Sequence, residues 1–221
     1  LKRDYHIITA KKRLRQIARD FVTHYSKAWE TGKAMLVCID KITCVRMYNL
    51  ITEFWDKRIA DLESELNTTT DDQEEVYRRR QILWMRETRI AVVVSEEQGE
   101  VDKFRQWDLD ITPHRRLIKD GMDLPESMRM KPQFKNMQRM DVDEAFKEEA
   151  HPFRVAIVCA MWLTGFDVPS LSTLYLDKPL KAHTLMQAIA RANRVNEGKN
   201  NGLIVDYCGI LRNLRKALAT F

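Results

Sequence analysis

Five short apolar runs recur along the chain: AMLVCID at 34–40, RIAVVVS at 89–95, RVAIVCA at 154–160, TLYLDK at 173–178 and GLIVDYC at 202–208. Each is bounded by polar residues, and several are rich in β-branched side chains. Their near-continuous apolar character suits central parallel strands covered on both faces, since a half-exposed strand alternates apolar with polar. Between them, residues 10–29, 42–66, 181–194 and 210–218 carry apolar positions at three- and four-residue spacing, the mark of amphipathic helices. Strands and helices in alternation predict an α/β fold, a parallel sheet flanked by helices. Such sheets bind ligands beyond the carboxyl ends of their strands, so polar residues there are the candidates for function.

The chain has 221 residues and begins with Leu, so it is expected to be a piece of something longer. Residues 1–221 read as a single domain, with 209–221 a helix leading toward the next one. The stretch 67–150 is expected to be insertion-rich because apparent strands flank it. It holds TTTDDQEEVYRRR, then DLPESMRMKPQFKNMQRM, then DVDEAFKEEAHP. The methionine cluster reads as local packing in a mobile loop.

Charge constrains partners only loosely. The 37 Lys and Arg against 32 Asp and Glu give a formal +5, which tolerates a polyanion and equally describes a solvated mixed-charge surface. Cys38, Cys44, Cys159 and Cys208 form no CxxC pair, and three sit in or beside apolar runs. They read as free thiols of a reducing compartment, with no metal site expected. No run approaches the roughly 18 apolar residues of a membrane span, so no membrane partner is expected and the cytoplasm is the default.

Two constellations carry the chemical signal. In MWLTGFDVP, Met161–Pro169, Gly165 permits close backbone approach, Asp167 supplies an acceptor and Pro169 ends any ladder. Taken alone, GxDxP is an ordinary turn. In QAIARANR, Gln187 to Arg194, a spacing of 100° per residue places Gln187, Arg191 and Arg194 within an arc of about 60°. Leu185, Ile189 and Ala192 are then free to face the core. Two guanidiniums and an amide on one patch match the geometry and charge of a phosphate, although alone they are also an arginine-rich solvent face.

In order and spacing, TGFDVP, LYLDKPL, QAIARANR and GLIVDYCG resemble motifs V and VI and their surroundings in the superfamily 2 helicases and translocases, specifically the motor of type I restriction enzyme R subunits. The resemblance is dense over residues 154–210, with AMLVCID in the place of motif IV. It implies the second of two RecA-like motor domains, in which ATP is hydrolysed between the domains and cleft motion drives stepping along double-stranded DNA. It makes Arg191 and Arg194 the catalytic arginine fingers, which stabilise charge on the transferring phosphoryl group. Gly165, Asp167 and Gln187 become nucleotide-binding residues. Thr43, Ser95 and Thr164 are the candidate hydroxyls for DNA phosphates, with Thr43 equally an ordinary helix-cap residue. Two departures stand out: Cys159 occupies a position where many relatives carry Thr or Ser, and Ala190 one where related helicases often carry Gly.

No GxxxxGK[ST] and no strand-borne DExx pair occurs, so ATP and Mg2+ are expected to be bound mainly by a domain outside this sequence. The resemblance places a nuclease domain and the first motor domain upstream in the same subunit. Its further partners are the methyltransferase and specificity subunits of a prokaryotic restriction complex. The 221 residues alone are expected to be inactive. Two other readings remain at this point, another superfamily 2 DNA or RNA helicase motor, and a non-catalytic nucleic-acid-binding module of the same fold.

Overall fold

A computed structural model of the chain describes residues 2–163, 165–192 and 202–212. In chain order the first elements are α1 (Lys2–Ile8), α2 (Lys11–Lys27), β1 (Lys33–Cys38), α3 (Lys41–Leu66), α4 (Asp72–Glu87) and β2 (Arg89–Val92). Next come α5 (Glu100–Arg105), α6 (Thr112–Asp120), β3 (Met122–Asp123), α7 (Glu126–Arg129), β4 (Arg139–Met140) and α8 (Val142–Lys147). The chain then forms β5 (Phe153–Val158), β6 (Leu171–Asp177), α9 (Ala182–Ala192) and β7 (Leu203–Asp206).

All five apolar runs are strands of one parallel sheet, ordered β2-β5-β1-β6-β7. The register pairs Leu36 with Ile157 on one side and with Tyr175 on the other. Because strand side chains alternate between faces, β1 sends Ala34, Leu36 and Cys38 into one core and Met35 and Val37 into the other. The first core lies under α2, α3 and α4, around Phe21, Tyr25, Ile51 and Trp55. The second contains Phe146 and Phe153 together with Leu185 and Ala188 of α9. Burial on both faces is the physical reason the central strands β1, β5 and β6 read as unbroken apolar runs.

Within 67–150 the structure is mostly regular. The charged TTTDDQEEVYRRR enters α4, capped by Asp71, whose carboxylate accepts from the Gln73 and Glu74 amides. Only Gln81, Ile82 and Met85 of this helix are buried, against the first core. Met122, Met128 and Met140 pack into the second core, and Met130 is exposed. Among the described residues no helix is long and apolar enough to cross a membrane.

The chain leaves β1 toward β2 at one edge and leaves β6 toward β7 at the other. The connections therefore diverge beyond the carboxyl ends of β1 and β6, the position where open α/β sheets form a crevice.

Candidate functional site

The segment leaving β5 is built from alternating anchors and exposed groups. Trp162, Leu163, Phe166 and Val168 are buried, whereas Gly165 and Asp167 face outward. Trp162 adopts a left-handed backbone (φ 67°) and stacks on Phe166, with ring centroids 4.2 Å apart and planes within 10°. The same indole stacks on Phe146 of α8 at 5.3 Å. Gly165 also has positive φ, at 74°, and a Cβ placed there would meet nothing within 4 Å. Within this chain the glycine serves a left-handed turn and no tight contact.

Helix α9 packs through Leu185 and Ala188, with Ile189 partly buried. Its core stripe is thus 185, 188 and 189. Ala188 lines the same small cavity as Phe166 and Val168, which joins the helix to the loop carrying Gly165 and Asp167. Gln187 is half-buried, and the backbone of Arg191 lies one turn further along. Arg194 and Thr164 lie outside the described residues. Gly165 and Asp167 follow β5, and α9 follows β6, so these elements share the carboxyl side of the sheet.

Thr43 and Ser95 are differently situated. Asp40, not Thr43, caps α3: its Oδ1 accepts the Thr43 amide at 2.7 Å. Thr43 itself is fully buried and its hydroxyl has no hydrogen-bond partner, so in this structure it presents no surface to a phosphate. Ser95 is exposed beyond β2, and its carbonyl accepts from Arg115 Nη2 at 2.7 Å. Arg115 also donates to the Val94 carbonyl and pairs with the buried Glu100, latching this segment to α6.

The crevice between β1 and β6 holds an ion pair that the sequence did not single out. Arg13 Nη2 donates to Asp177 Oδ1 at 2.6 Å and to the Tyr207 carbonyl at 3.1 Å. Its Nη1 donates to the Ile8 carbonyl at 2.8 Å. Asp177 is fully buried, and burial holds its carboxyl above the usual range against the lowering effect of Arg13. Lys178 Nζ donates to the Cys159 carbonyl at 2.6 Å, tying the ends of β5 and β6 together across β1. A hydrogen bond from the Cys44 thiol, followed by the charges of Lys178 and Lys41, draws Cys159 down to about 7 against burial. Burial raises Cys38 and Cys44. All four cysteines are free, with Cys208 half-buried. Asp206 accepts from the Cys208 and Leu211 amides, and the Tyr207 hydroxyl donates to Asp20 at 2.6 Å, so both residues serve local structure.

No group of three or more His, Cys, Asp or Glu among the described residues is arranged to hold a metal ion. At the carboxyl edge the Arg13 and Lys178 cations are committed to internal partners, which leaves Asp167 and the half-buried Gln187 amide as the nearby polar groups that the sequence singled out.

A five-stranded parallel sheet with a helix-covered core on each face defines a RecA-like α/β domain. The family described as "Type I restriction enzyme subunit R domain 3" matches residues 30–209, and the chain belongs to it. It is 33% identical over 216 residues to the type I restriction enzyme HindI endonuclease subunit of Haemophilus influenzae, covering 96% of this chain and 16% of that protein. Over 217 residues it is 31% identical to the putative type I restriction enzyme MjaIXP endonuclease subunit of Methanocaldococcus jannaschii, covering 97% of this chain and 16% of that protein. A shorter match, 52% identical over 68 residues, covers 30% of this chain and 7% of the SsaAORF53P endonuclease subunit of Staphylococcus saprophyticus. The chain thus spans 16% of the length of the first two relatives.

Proposed function

We propose that this chain is the second motor domain of an ATP-dependent DNA-translocating restriction subunit. In this reading Arg191 and Arg194 reach an ATP bound mainly by another domain, and the carboxyl edge forms part of the DNA track. The observation that carries it is the packing of α9 against the Phe166–Val168 loop, which joins the helix of QAIARANR to the exposed Gly165 and Asp167.

The residues present fit a shared nucleotide site better than a complete one. Gln187 lies about opposite Leu185 and Ala188 by helical spacing, and position 191 falls one turn further along α9. A guanidinium in that position would stabilise developing charge on a phosphoryl group and would contribute little to holding the nucleotide beforehand. The bound ATP supplies the phosphoanhydride that is cleaved. Magnesium, like ATP, would be held mainly by that other domain.

The test uses the intact subunit with its partner subunits and cognate DNA. Arg191→Ala and Arg194→Ala should each lower DNA-stimulated ATP turnover by about 10^3-fold, within the range of arginine fingers, while ATP binding persists. Full turnover in both variants overturns the finger assignment. Salt-sensitive DNA binding with no dependence of turnover on either arginine favours a non-catalytic binding module.

A further inference from the structure

The outer face of the α2–α3 layer carries a basic groove that the motor reading does not use. Two clefts of about 800 and 490 Å³ lie along it, one toward the carboxyl edge of the sheet and the other further down the helices. From α2, Lys11 and Arg15 line the upper cleft and Arg19 and Lys27 the lower. Lys11, Arg15 and Arg19 follow one another at four-residue steps of about 6 Å, Thr23 takes the next position, and Lys27 ends a row extending about 24 Å along the helix. From α3, Arg46 faces the upper cleft and Lys57 and Arg58 the lower. Arg15 and Arg19 both lie over the ring of Phe54, at 4.9 and 5.4 Å, and so join the two clefts.

Most of this charge is uncompensated. Arg15 pairs with Glu53 and Arg58 with Glu65, but Lys11, Arg19, Lys27, Arg46 and Lys57 form no ion pair with any described residue. Among the described residues the carboxylates lining the two clefts are Asp61 and Asp108, and Glu53, paired with Arg15, also feels the charge of Lys57. Row after row of unpaired cations costs stability by self-repulsion and is a surface for an extended anion.

At the upper end stands Trp107, half exposed, with the Arg46 guanidinium 4.7 Å from its ring. The turn that presents it is fixed from beneath. The Trp107 and Leu109 amides both donate to the carbonyl of Phe104, itself buried in the first core, and Asp108 between them takes a left-handed backbone. An indole held outward beside an arginine gives a stacking platform that accepts any base, whereas the cations below it follow a phosphate chain.

We propose that the α2–α3 groove binds the sugar–phosphate backbone of a nucleic acid strand, with Trp107 packing on a base or sugar at its upper end. This is a contact outside the carboxyl-edge site, and it does not depend on the arginine-finger assignment. The acidic face of another protein segment is the competing occupant, and it would have no need of an exposed indole beside Arg46.

Binding of labelled 20-nucleotide single strands and 20-base-pair duplexes to the intact subunit, measured by anisotropy over a salt series, tests this. Replacing Arg19, Lys27 and Lys57 together by Ala should lower the slope of log K against log salt by about 2.7 for duplex, or about 2.1 for single strand, at 0.9 or 0.7 per lost phosphate contact. The arm whose loss, divided by its own coefficient, comes nearer to three contacts names the strand form bound. Trp107→Ala should weaken binding with the slope unchanged, and Trp107→Phe should restore it. An unchanged slope in the triple variant overturns the proposal. So does retention of DNA affinity with loss of poly-glutamate binding, which assigns the groove to an acidic protein segment, or with a lowered melting temperature, which assigns its cations a structural role. Arg191→Ala serves as the separate control: it should change ATP turnover and leave the salt slope intact, so the two readings fail independently.

Discussion

Arg13 and Asp177, 164 residues apart, form a 2.6 Å ion pair at the carboxyl end of β6. The arginine lies in the first turns of α2, and its other bonds run to Ile8 and Tyr207. One guanidinium therefore holds together α1, the end of β6 and the segment after β7. The Asp177 side chain is completely shielded, and its second oxygen has no hydrogen-bond partner, which makes the carboxylate dependent on Arg13.

Removing the arginine should cost more than removing the pair. Arg13→Ala leaves a buried carboxylate without its cation and is expected to lose about 3 kcal/mol in denaturant unfolding. Arg13→Ala with Asp177→Asn should lose less, because the stranded charge is gone. Asp177 already sits above its ordinary value through burial, and without Arg13 it should rise further. A carboxyl with a raised folded pKa supports stability below its unfolded pKa, and that support fades as pH rises. The single variant should thus be most destabilised at neutral pH and recover toward acid.

Two histidines give the opposite slope. His114 and His151 are buried, and burial draws each down to about 4. The Phe153 amide donates to His151 Nδ1 at 3.0 Å, a bond that requires the neutral ring. His114 packs edge-on against Tyr48 at 4.6 Å. Since an unfolded histidine titrates near 6.5, the unfolded chain binds more protons between about pH 6.5 and pH 4. Stability is expected to fall as pH drops through that window, by up to about 3 kcal/mol per histidine. In His151→Asn the side chain retains an acceptor for the Phe153 amide, so urea midpoints from pH 7 to 4 should decline less steeply. Equal declines in the two proteins would remove His151 from the account.

The centre of the sheet was legible because β1, β5 and β6 are buried on both faces, which writes each of them as a continuous apolar word. Helix α4 was not, because Ile82 and Met85 form a narrow stripe beneath a surface of paired charges such as Arg78–Glu74 and Arg79–Glu75. At the candidate site, the loop and helix positions were readable from TGFDVP and QAIARANR. The distant pairs Arg13–Asp177 and Arg115–Glu100 were not, since nothing local in sequence links a cation on one helix to a carboxylate elsewhere. The helix-cap reading of Thr43 failed for a local reason. A hydroxyl near a helix start resembles a cap, but Asp40 three residues earlier already satisfies its amide.

Two glycines with positive φ should respond differently to alanine. At Gly165 the only penalty is the left-handed backbone, about 1 kcal/mol, because the space beside it is open. At Gly32, φ is 125° and a Cβ would lie 2.6 Å from the Ser170 carbonyl oxygen, which accepts the Lys33 amide at the start of β1. Backbone must move there. Thermal melts should show Gly32→Ala far more destabilised than Gly165→Ala, and comparable losses would contradict the steric argument.

Phe166 lies between Gly165 and Asp167, and its ring is gripped from several sides. It stacks on Trp162, and Lys147 Nζ sits 5.2 Å from its centroid. Its neighbours in sequence point outward, so this one ring fixes where they are presented. Phe166→Ala should lose about 3 kcal/mol, as large-to-small core changes do. Phe166→Leu keeps most of the apolar volume and should forfeit mainly the stacking, about 1 kcal/mol. Hydrogen exchange separates a local role from a global one. Beyond the change in global stability, amides of the loop around Gly165 should lose protection in Phe166→Ala, while those of β1 at the sheet centre should follow the global change alone. Uniform loss across loop and sheet would mean that the ring supports the second core as a whole and does not specifically position Gly165 and Asp167.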